Sequence, residues 1–568
     1  MAKILILGGY GVFGARLAKR LAAQSDAEIL IAGRSFAKAE ALCRSFGGTP
    51  VLLDRDGDIF GEVARLKPAI VIDAAGPFQA YGDDPYRVAK AAIAAGAHYL
   101  DLADDAAFVA GITALDEDAK RAGVGVISGA SSVPAISAAA LDELVRGLAS
   151  VAVVGAAILP GNRAPRGLSV VQAIVGQAGR SLKVWRGGAW TEARAWGDIA
   201  RFTLQADGAA PLTNRLASFI GAPDLMLFPR RYDARSALFR AGLELKIMHL
   251  GLWLLALPVR LGLVRSIIAL AGPLKWTADH LEGFGSDRGG MVAYAIGRDG
   301  NGCAVERRWT LIAEAGDGPQ IPPTPALLLA LRLLGAAPVA AGARPCVGVL
   351  RLDEIEAGLS AFNIRFGRSE RPAPPLLERA MAEDFAALPA AWRRLADVHD
   401  IERFVGEGSV ERGSGPLARF VAGLFGFPLA TPSIAVGVTK QKTASGEKWT
   451  RRFGSKSFVS HLLRDPNDGP GVLRERFGPF SFILKLTASN GRVDWPVERW
   501  RFLSIPMPRA LRPQSETFEE VGKDGRFRFH VSISLPLVGL LVRYRGWLEP
   551  VSSQGVSSTG ALAAAPIS

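Results

Sequence analysis

Along the first part of the chain, short unbroken apolar runs alternate with longer segments of mixed character. Ile4 to Leu7 is fully apolar and stops at a cluster of glycines. A run like this reads as a strand buried on both faces. The segment behind it predicts a helix from about Val12 to Ala23. Further strands are expected over Glu28–Arg34, Thr49–Asp54, Ala69–Phe78, His98–Leu102 and Gly123–Ser128, with helices over Pro85–Ala95 and near Asp105–Ala122. Strands alternating with helices predict an α/β fold with a parallel, doubly wound sheet. In such sheets ligands sit off the carboxyl ends of the strands.

The glycines give that ligand a chemical character. Gly9, Gly11 and Gly14 stand in G-x-G-x-x-G spacing, with Tyr10, Val12 and Phe13 between them. The first glycine allows a tight turn. The second lets the backbone approach a pyrophosphate, and the third lets the helix pack on the strand. The helix start then aims free N–H groups and a positive dipole end at the phosphates. With a strand before it and a helix after it, the motif predicts a Rossmann-type nucleotide domain over residues 1–130. The second strand ends in Gly33, Arg34 and Ser35, where an NAD enzyme usually places an acid for the ribose hydroxyls. Arg34 suits a 2′-phosphate and Ser35 adds a hydrogen bond, so NADP(H) is the expected cofactor. Asp54 is expected near the adenine edge. The small residues Ala75, Gly76 and Pro77, with Phe78, are expected where the dinucleotide passes the fourth strand.

Beyond residue 130 the pattern is mixed. Val151–Leu159 reads as a strand, Arg166–Gly179 as a helix, and Leu182–Ala193 as a hairpin turning at Gly187–Gly188. An inserted α+β substrate domain is expected over 131–370. Leu250–Gly272 has the length of a bilayer span but holds Pro258, Arg260 and Arg265. Three readings stay open for it: a span, a buried helical pair, or a helix or hairpin lying in a membrane interface with both arginines snorkelling. Residues 371–387, beginning near "PAPP", are expected as a linker and helix. The class then changes. "SIAVGVTKQK", "EKWTRRF", "PFSFILKLTA" and "RFRFHVSISL" alternate apolar with polar. In the last, Phe527, Phe529, Val531, Ile533 and Leu535 face one way, as in a half-buried antiparallel strand. A separate, mainly antiparallel β domain, a curved sheet or barrel, is expected over 388–550. Residues 551–568 are expected as a disordered tail.

Taken together, "GGYGVFG", "AGR", "AAGPF", "AGAHYLDL" and "SGASSVPAIS" resemble the saccharopine dehydrogenase-like NADP-binding family over roughly residues 1–370. The resemblance implies pyridine-nucleotide oxidoreduction, not saccharopine as substrate. It also implies that Asp317–Leu359 returns to pack on the nucleotide domain. Leu388–Pro550, with "GEKWTRRFG", "VERWRF" and "YRGWLEP", resembles a domain family of unknown function found attached to such reductases.

Composition adds constraints. The 568 residues are too many for one core, and 49% hydrophobic with 21% charged is globular composition. The net charge of +13 rests on 52 Arg and 15 Lys, the bias of a GC-rich coding sequence. Between Ala391 and Pro550 there are 25 basic and 16 acidic residues, interleaved with aromatics such as Trp449, Trp500 and Trp547. That region reads as an ordinary sheet with Arg–Trp and Arg–Glu pairs, as an anion-binding lumen, or as a face for anionic lipid; nucleic acid is disfavoured. Cys43, Cys303 and Cys346 lie far apart, no metal-binding spacing occurs, and no secretory signal is visible. The expected place is the cytoplasm, against the inner face of a membrane if Leu250–Gly272 is interfacial. A homodimer stays open.

Asp101, Ser131 and Ser132 are the catalytic candidates at strand ends. Asp101 can orient a small-molecule or lipid-like substrate, or cap the next helix. The two serines can line the pocket or cap a helix. No clear proton donor emerges. Two functions therefore remain: an NADP(H)-dependent oxidoreductase, or a catalytically silent NADPH-binding sensor or scaffold whose β domain holds a ligand or partner.

Overall fold

Six of the expected strands form one parallel sheet: β1 Lys3–Leu7, β2 Glu28–Gly33, β3 Thr49–Leu52, β4 Ile70–Asp73, β5 His98–Asp101 and β6 Gly125–Ser128. A seventh strand, Gly342–Pro345, adds beside β6, giving the order Gly342–Pro345, β6, β5, β4, β1, β2, β3. The structure is a computed structural model and describes residues 1–335 and 339–551. The expected tail falls, but for Val551, outside the described residues.

The central strands are buried along nearly all their length, while the edge strand β3 leaves Thr49 and Leu52 exposed. Ile4, Leu5, Ile6, Ile70, Val71 and Ile72 are fully buried, as parallel strands covered by helices on both faces must be. Strand order reverses between β1 and β4, so the carboxyl ends of these two strands open a crevice. The long helix α1, Val12–Gln24, packs on this sheet through Leu17, Ala18 and Leu21. Its Arg20 donates to Thr324 Oγ1 and to the Gly358 carbonyl, both at 2.7 Å. Residues of the segment Asp317–Leu359 are thereby tied to α1.

The chain clusters into two compact units. The first comprises residues 1–185, 191–297 and 306–371; the second comprises 186–190, 298–305 and 372–568. Besides the parallel sheet, the first unit carries most of a nine-stranded mixed sheet. Its ordered path runs Ala200–Leu204, Leu212–Phe219, Ser236–Ala241, Leu148–Leu159, Gly289–Asp299, Ala304–Ala313, Ile364–Pro372. The hairpin expected over Leu182–Ala193 is present, its strands being Ser181–Arg186 and Ala189–Arg194 with positive φ at Gly187 and Gly188.

Leu250–Gly272 is not one helix. It is broken among Lys246–Leu255, Leu257–Arg260, a 3-10 turn Ile268–Leu270 and the start of Ala271–His280. Among the described residues no helix is long and apolar enough to cross a membrane. One side is buried through Leu252, Ala256, Val259 and Ile267, while Leu254, Leu261, Leu263 and Val264 are exposed. The expectation that both arginines snorkel fails at Arg260. Its guanidinium donates to the Trp196 carbonyl at 2.5 Å and lies 5.2 Å from the Trp253 ring centre. Arg265 alone is exposed.

In the second unit a 13-stranded antiparallel sheet begins at Ile401–Arg412 and ends at Gly539–Pro550. Those two strands pair with each other, Phe404 opposite Pro550 and Arg412 opposite Val542. One long hairpin, residues 480–502, joins the remaining edges. Its base pairs with Val472–Phe477 and its tip, through Arg492–Asp494, pairs with Gln514–Val521. The sheet therefore closes on itself as a barrel. Residues 371–387, expected as linker and helix, contribute Leu376, Leu377, Ala380, Met381 and Phe385 to this unit's core.

Candidate functional site

The glycine loop is built around a position that the motif spacing does not single out. Gly8, one residue before the first motif glycine, has φ +68°, and a Cβ there would come within 2.7 Å of Ala74 O and Ala75 Cα. Only glycine turns the chain here against the end of β4. A Cβ on Gly14 would fall inside the contact distance of Gly8 O and 2.9 Å from Gly9 Cα, so Gly14 lets α1 pack on the loop. Gly9 packs beneath Ile31. At Gly11 a Cβ would meet only Gly8 O, at 3.1 Å, leaving the outer side open. No side chain caps the N-terminus of α1. Its first amides face a cavity of about 510 Å³ that Gly11, Val12 and Phe13 line. An uncapped helix start with positive dipole beside an open glycine is a cradle that fits a pyrophosphate.

The same cavity runs along the carboxyl ends of the strands. On the β2 side it is bounded by Tyr10, Gly33, Arg34 and Asp54. Tyr10 lies across the end of β2, where a Cβ on Gly33 would come within 2.5 Å of its ring. Its hydroxyl accepts from the Ser35 N–H at 3.2 Å. Arg34 is exposed and no acid follows it, so a 2′-phosphate meets a cation rather than a carboxylate. Ser35 does not line the cavity. It is the N-cap of helix Phe36–Cys43, with its hydroxyl accepting from Lys38 N. On the β4 side the wall is Ala75, Gly76, Pro77 and Phe78, as expected, followed by Tyr81, Leu102 and Asp104. Helix Leu168–Gln177 covers this end through Val170 and Ala173.

Two residues in this wall were not anticipated. The Arg55 guanidinium lies 3.4 Å from the Tyr81 ring centre and donates to the Tyr81 carbonyl at 3.2 Å. The Tyr81 hydroxyl donates to Asp73, a fully buried carboxylate at the end of β4. Burial pushes Asp73 up to about 6, against the pull of the Ala75 N–H, the Tyr81 hydroxyl and Arg55. The signal in the sequence was an arginine directly after the expected Asp54 and a lone tyrosine three residues beyond Phe78. Neither belongs to a motif.

The catalytic candidates lie elsewhere. Asp101 is fully buried and does not line the cavity. Its Oδ1 accepts from Gly129 N at 2.7 Å and Ala103 N at 3.0 Å, binding two loops together. Burial pushes it up to about 7. Asp101 does not cap the next helix, whose N-cap is Asp105, with its side chain accepting from Phe108 N; its contacts describe a group that ties the loop after β5 to the loop after β6. Ser131 and Ser132 are each 8% exposed and are absent from the cavity wall. No group of His, Cys, Asp and Glu suited to a metal occurs among the described residues.

Residues 4–127 match the family described as Saccharopine dehydrogenase NADP binding domain. This part of the chain is a saccharopine dehydrogenase-type NADP-binding domain. Its cofactor is NADP(H), which the cradle, the Arg34 edge and the absence of an acid at the end of β2 fit. The matched family is a nucleotide-binding domain of dehydrogenases. Residues 388–548 match a domain of unknown function, DUF4166. No curated protein matches the chain. Solved structures similar to it include apo saccharopine dehydrogenase (L-Glu forming) from Saccharomyces cerevisiae, at 16% identity, covering 65% of this chain and 100% of that one, with a TM-score of 0.48. GenD2 from gentamicin A biosynthesis in complex with NAD is 15% identical, over 53% of this chain and 70% of that one, TM-score 0.27. BdcA in complex with NADPH is 20% identical, over 22% and 68%, TM-score 0.20. Around the saccharopine dehydrogenase-type domain, the cavity's far end is made by Val170 and Ala173, outside the matched residues.

Proposed function

We propose that the first unit is an NADP(H)-dependent oxidoreductase acting on a small-molecule or lipid-like substrate. The observation that carries this is the single cavity running from Arg34 and Asp54, past the α1 N-terminus, to Leu102, Asp104 and the helix Leu168–Gln177. A dinucleotide bound by its pyrophosphate at α1 lies with its adenosine toward β2 and its other end toward β4 and β5. Bound NADP(H) supplies hydride chemistry. The α1 amides hold the pyrophosphate, and Arg34 holds the 2′-phosphate. Ala75 and Gly76 leave room beside the strand end. Val170, Ala173 and Leu102 offer an apolar wall that excludes water from the reacting end. Asp104, held by Gln79 Nε2 at 3.1 Å, is the polar group there that can orient a substrate.

A second reading is favoured by the place of Asp101, Ser131 and Ser132 outside the cavity wall. In it the unit holds NADPH without turnover and works as a sensor or scaffold. The test is oxidation of NADPH, followed at its absorbance maximum, across carbonyl, imine and enoyl compounds, together with mass spectrometry of any molecule that co-purifies. Substrate-dependent oxidation supports the oxidoreductase. Tight NADPH binding without oxidation across the panel supports the sensor.

A further inference from the structure

The barrel of the second unit encloses a cavity of about 370 Å³ that takes no part in the nucleotide site. Small-ligand pockets are about 300–1,000 Å³. Its wall is strongly aromatic: Phe453, Phe458, Phe477 and Phe480 face it from four neighbouring strands, and Tyr544 from Gly539–Pro550. Along Phe527–Leu535 every second residue, Phe527 through Leu535, faces inward, and the helix Pro416–Leu424 adds Val421 and Leu424.

The charges in this wall decide what can enter. Lys440 and Arg451 stand against Glu475 and Glu519. All four are engaged within the domain. Lys440 donates to the Leu395 carbonyl at 2.9 Å and lies 3.9 Å from the Trp449 ring centre. Arg451 donates to Ser460 Oγ at 2.7 Å and pairs with Glu475 at 3.4 Å. Glu519 accepts from the Trp392 indole at 3.1 Å. A charged guest would be stripped of water, and each of these four groups already has a hydrogen-bond partner inside the domain. The mainly aromatic and aliphatic wall suits an uncharged hydrocarbon.

One end of the barrel has the opposite character. Strand register puts Arg412 opposite Val542, Leu535 opposite Gly539, and Phe480 opposite both Phe477 and Phe502. The Phe425 ring, just past the helix, is 5.0 Å from that of Phe480. The helix Pro416–Leu424, the segment 499–513 and the turn 536–538 thus share one end. Leu417, Phe420, Leu424, Leu503, Ile505 and Leu537 are exposed there. Neither 413–430 nor 499–513 contains Asp or Glu, whereas Arg419, Arg501, Arg509 and Arg512 fall within them. Exposed apolar side chains interspersed with arginines match a hydrocarbon chain joined to an anionic head.

We propose that the C-terminal domain binds a lipid through one hydrocarbon chain, with the chain in the aromatic cavity and an anionic head among the arginines at the helix-capped end. This site is separate from the nucleotide chemistry and stands whether or not the first unit turns over a substrate.

The test uses the full chain and cis-parinaric acid, a fluorescent fatty acid that accepts energy from tryptophan. Saturable transfer, displaced by palmitate and more weakly by hexadecanol, is the expected result. Thr517→Trp fills the cavity and should weaken binding about tenfold or more, with far-UV circular dichroism, thermal melting and NADPH binding unchanged. Arg501→Glu with Arg512→Glu, both exposed, should weaken palmitate about fivefold or more and leave hexadecanol unaffected. A parallel arm offers the protein parinaroyl chains in phosphatidylglycerol vesicles. Uptake from vesicles alone assigns a membrane lipid, and uptake of the free acid assigns a fatty acid. Absence of saturable transfer in both arms overturns the proposal. So does a folded Thr517→Trp that binds as tightly as wild type, or a double arginine variant that weakens acid and alcohol alike.

Discussion

The Tyr81 hydroxyl stands 3.1 Å from each carboxylate oxygen of Asp73 at the end of β4. Asp73 holds its proton more tightly folded than unfolded, since burial raises it from 3.8 to about 6. The folded state then binds more protons between those values, so its stability falls as pH rises from about 4 to about 6. Tyr81→Phe keeps the ring under Arg55 but removes a donor, raising Asp73 further. The variant should lose about 1–3 kcal/mol, more at pH 8 than at pH 5. Urea melts at the two pH values check this; an equal loss at both contradicts it.

Arg34 is expected to set the choice of cofactor. Wild type should bind NADPH at least about tenfold more tightly than NADH. Arg34→Ala should remove most of that margin, since a charge-assisted hydrogen bond contributes about 1.5–3 kcal/mol. Fluorescence titration with both nucleotides measures it, and equal affinities in wild type would refute the assignment.

The glycines should separate into two kinds. Gly11→Val places its side chain where the pyrophosphate lies, so NADPH binding should vanish while the fold survives. Gly14→Val drives the side chain into the Gly8 and Gly9 backbone, with Gly9 Cα only 2.9 Å from the new Cβ. It should cost stability first, about 1–3 kcal/mol or more. Circular dichroism, thermal melts and NADPH titration on both variants distinguish the outcomes.

Asp101→Asn should keep the fold and the affinity for NADPH. The amide oxygen can still accept from Gly129 and Ala103, and the buried charge is gone. Because burial raises Asp101 to about 7, wild type loses stability as pH climbs from about 4 to about 7. The variant should show a flatter profile over that range. If Asp101→Asn abolishes NADPH oxidation while leaving binding intact, the aspartate acts in catalysis after all.

For the segment 250–272, flotation with anionic vesicles at low salt is the relevant measurement. Leu261→Glu with Leu263→Glu, at 71% and 73% exposed positions, is expected to reduce the floated fraction. Arg260→Ala should leave flotation unchanged and lower the melting temperature, because its guanidinium serves Trp196 O. A wild type that stays wholly soluble removes the membrane interpretation of this surface.

The cofactor cradle was legible because it is local: a strand, three glycines and a helix lie within twenty residues, and the second strand ends on Arg34. The inward face of Phe527–Leu535 was legible for the same reason, through its period of two. Arg55 and Tyr81 escaped notice because their meeting depends on how the loops after β3 and β4 fold toward each other. Ser35 looked like a ligand for a phosphate, yet a serine before a helix is equally an N-cap, and that local use won. The place of Asp101 was not legible for a related reason. A carboxylate at a strand end in a parallel sheet can face the crevice or tie neighbouring loops, and only the positions of Gly129 and Ala103 decide. At Arg260, composition suggested a charge seeking water, and a carbonyl supplied by Trp196, far away in sequence, satisfied it instead.

The strand Gly342–Pro345 lies beside β6, although more than two hundred residues of chain separate them. A ribosome adds about 5–20 residues per second, so the edge of β6 waits many seconds for its neighbour after it is made. Throughout that interval the nascent nucleotide domain presents an open strand to anything that can pair with it. A fragment ending near residue 130 would keep that edge bare permanently, and it should self-associate more strongly than the full chain.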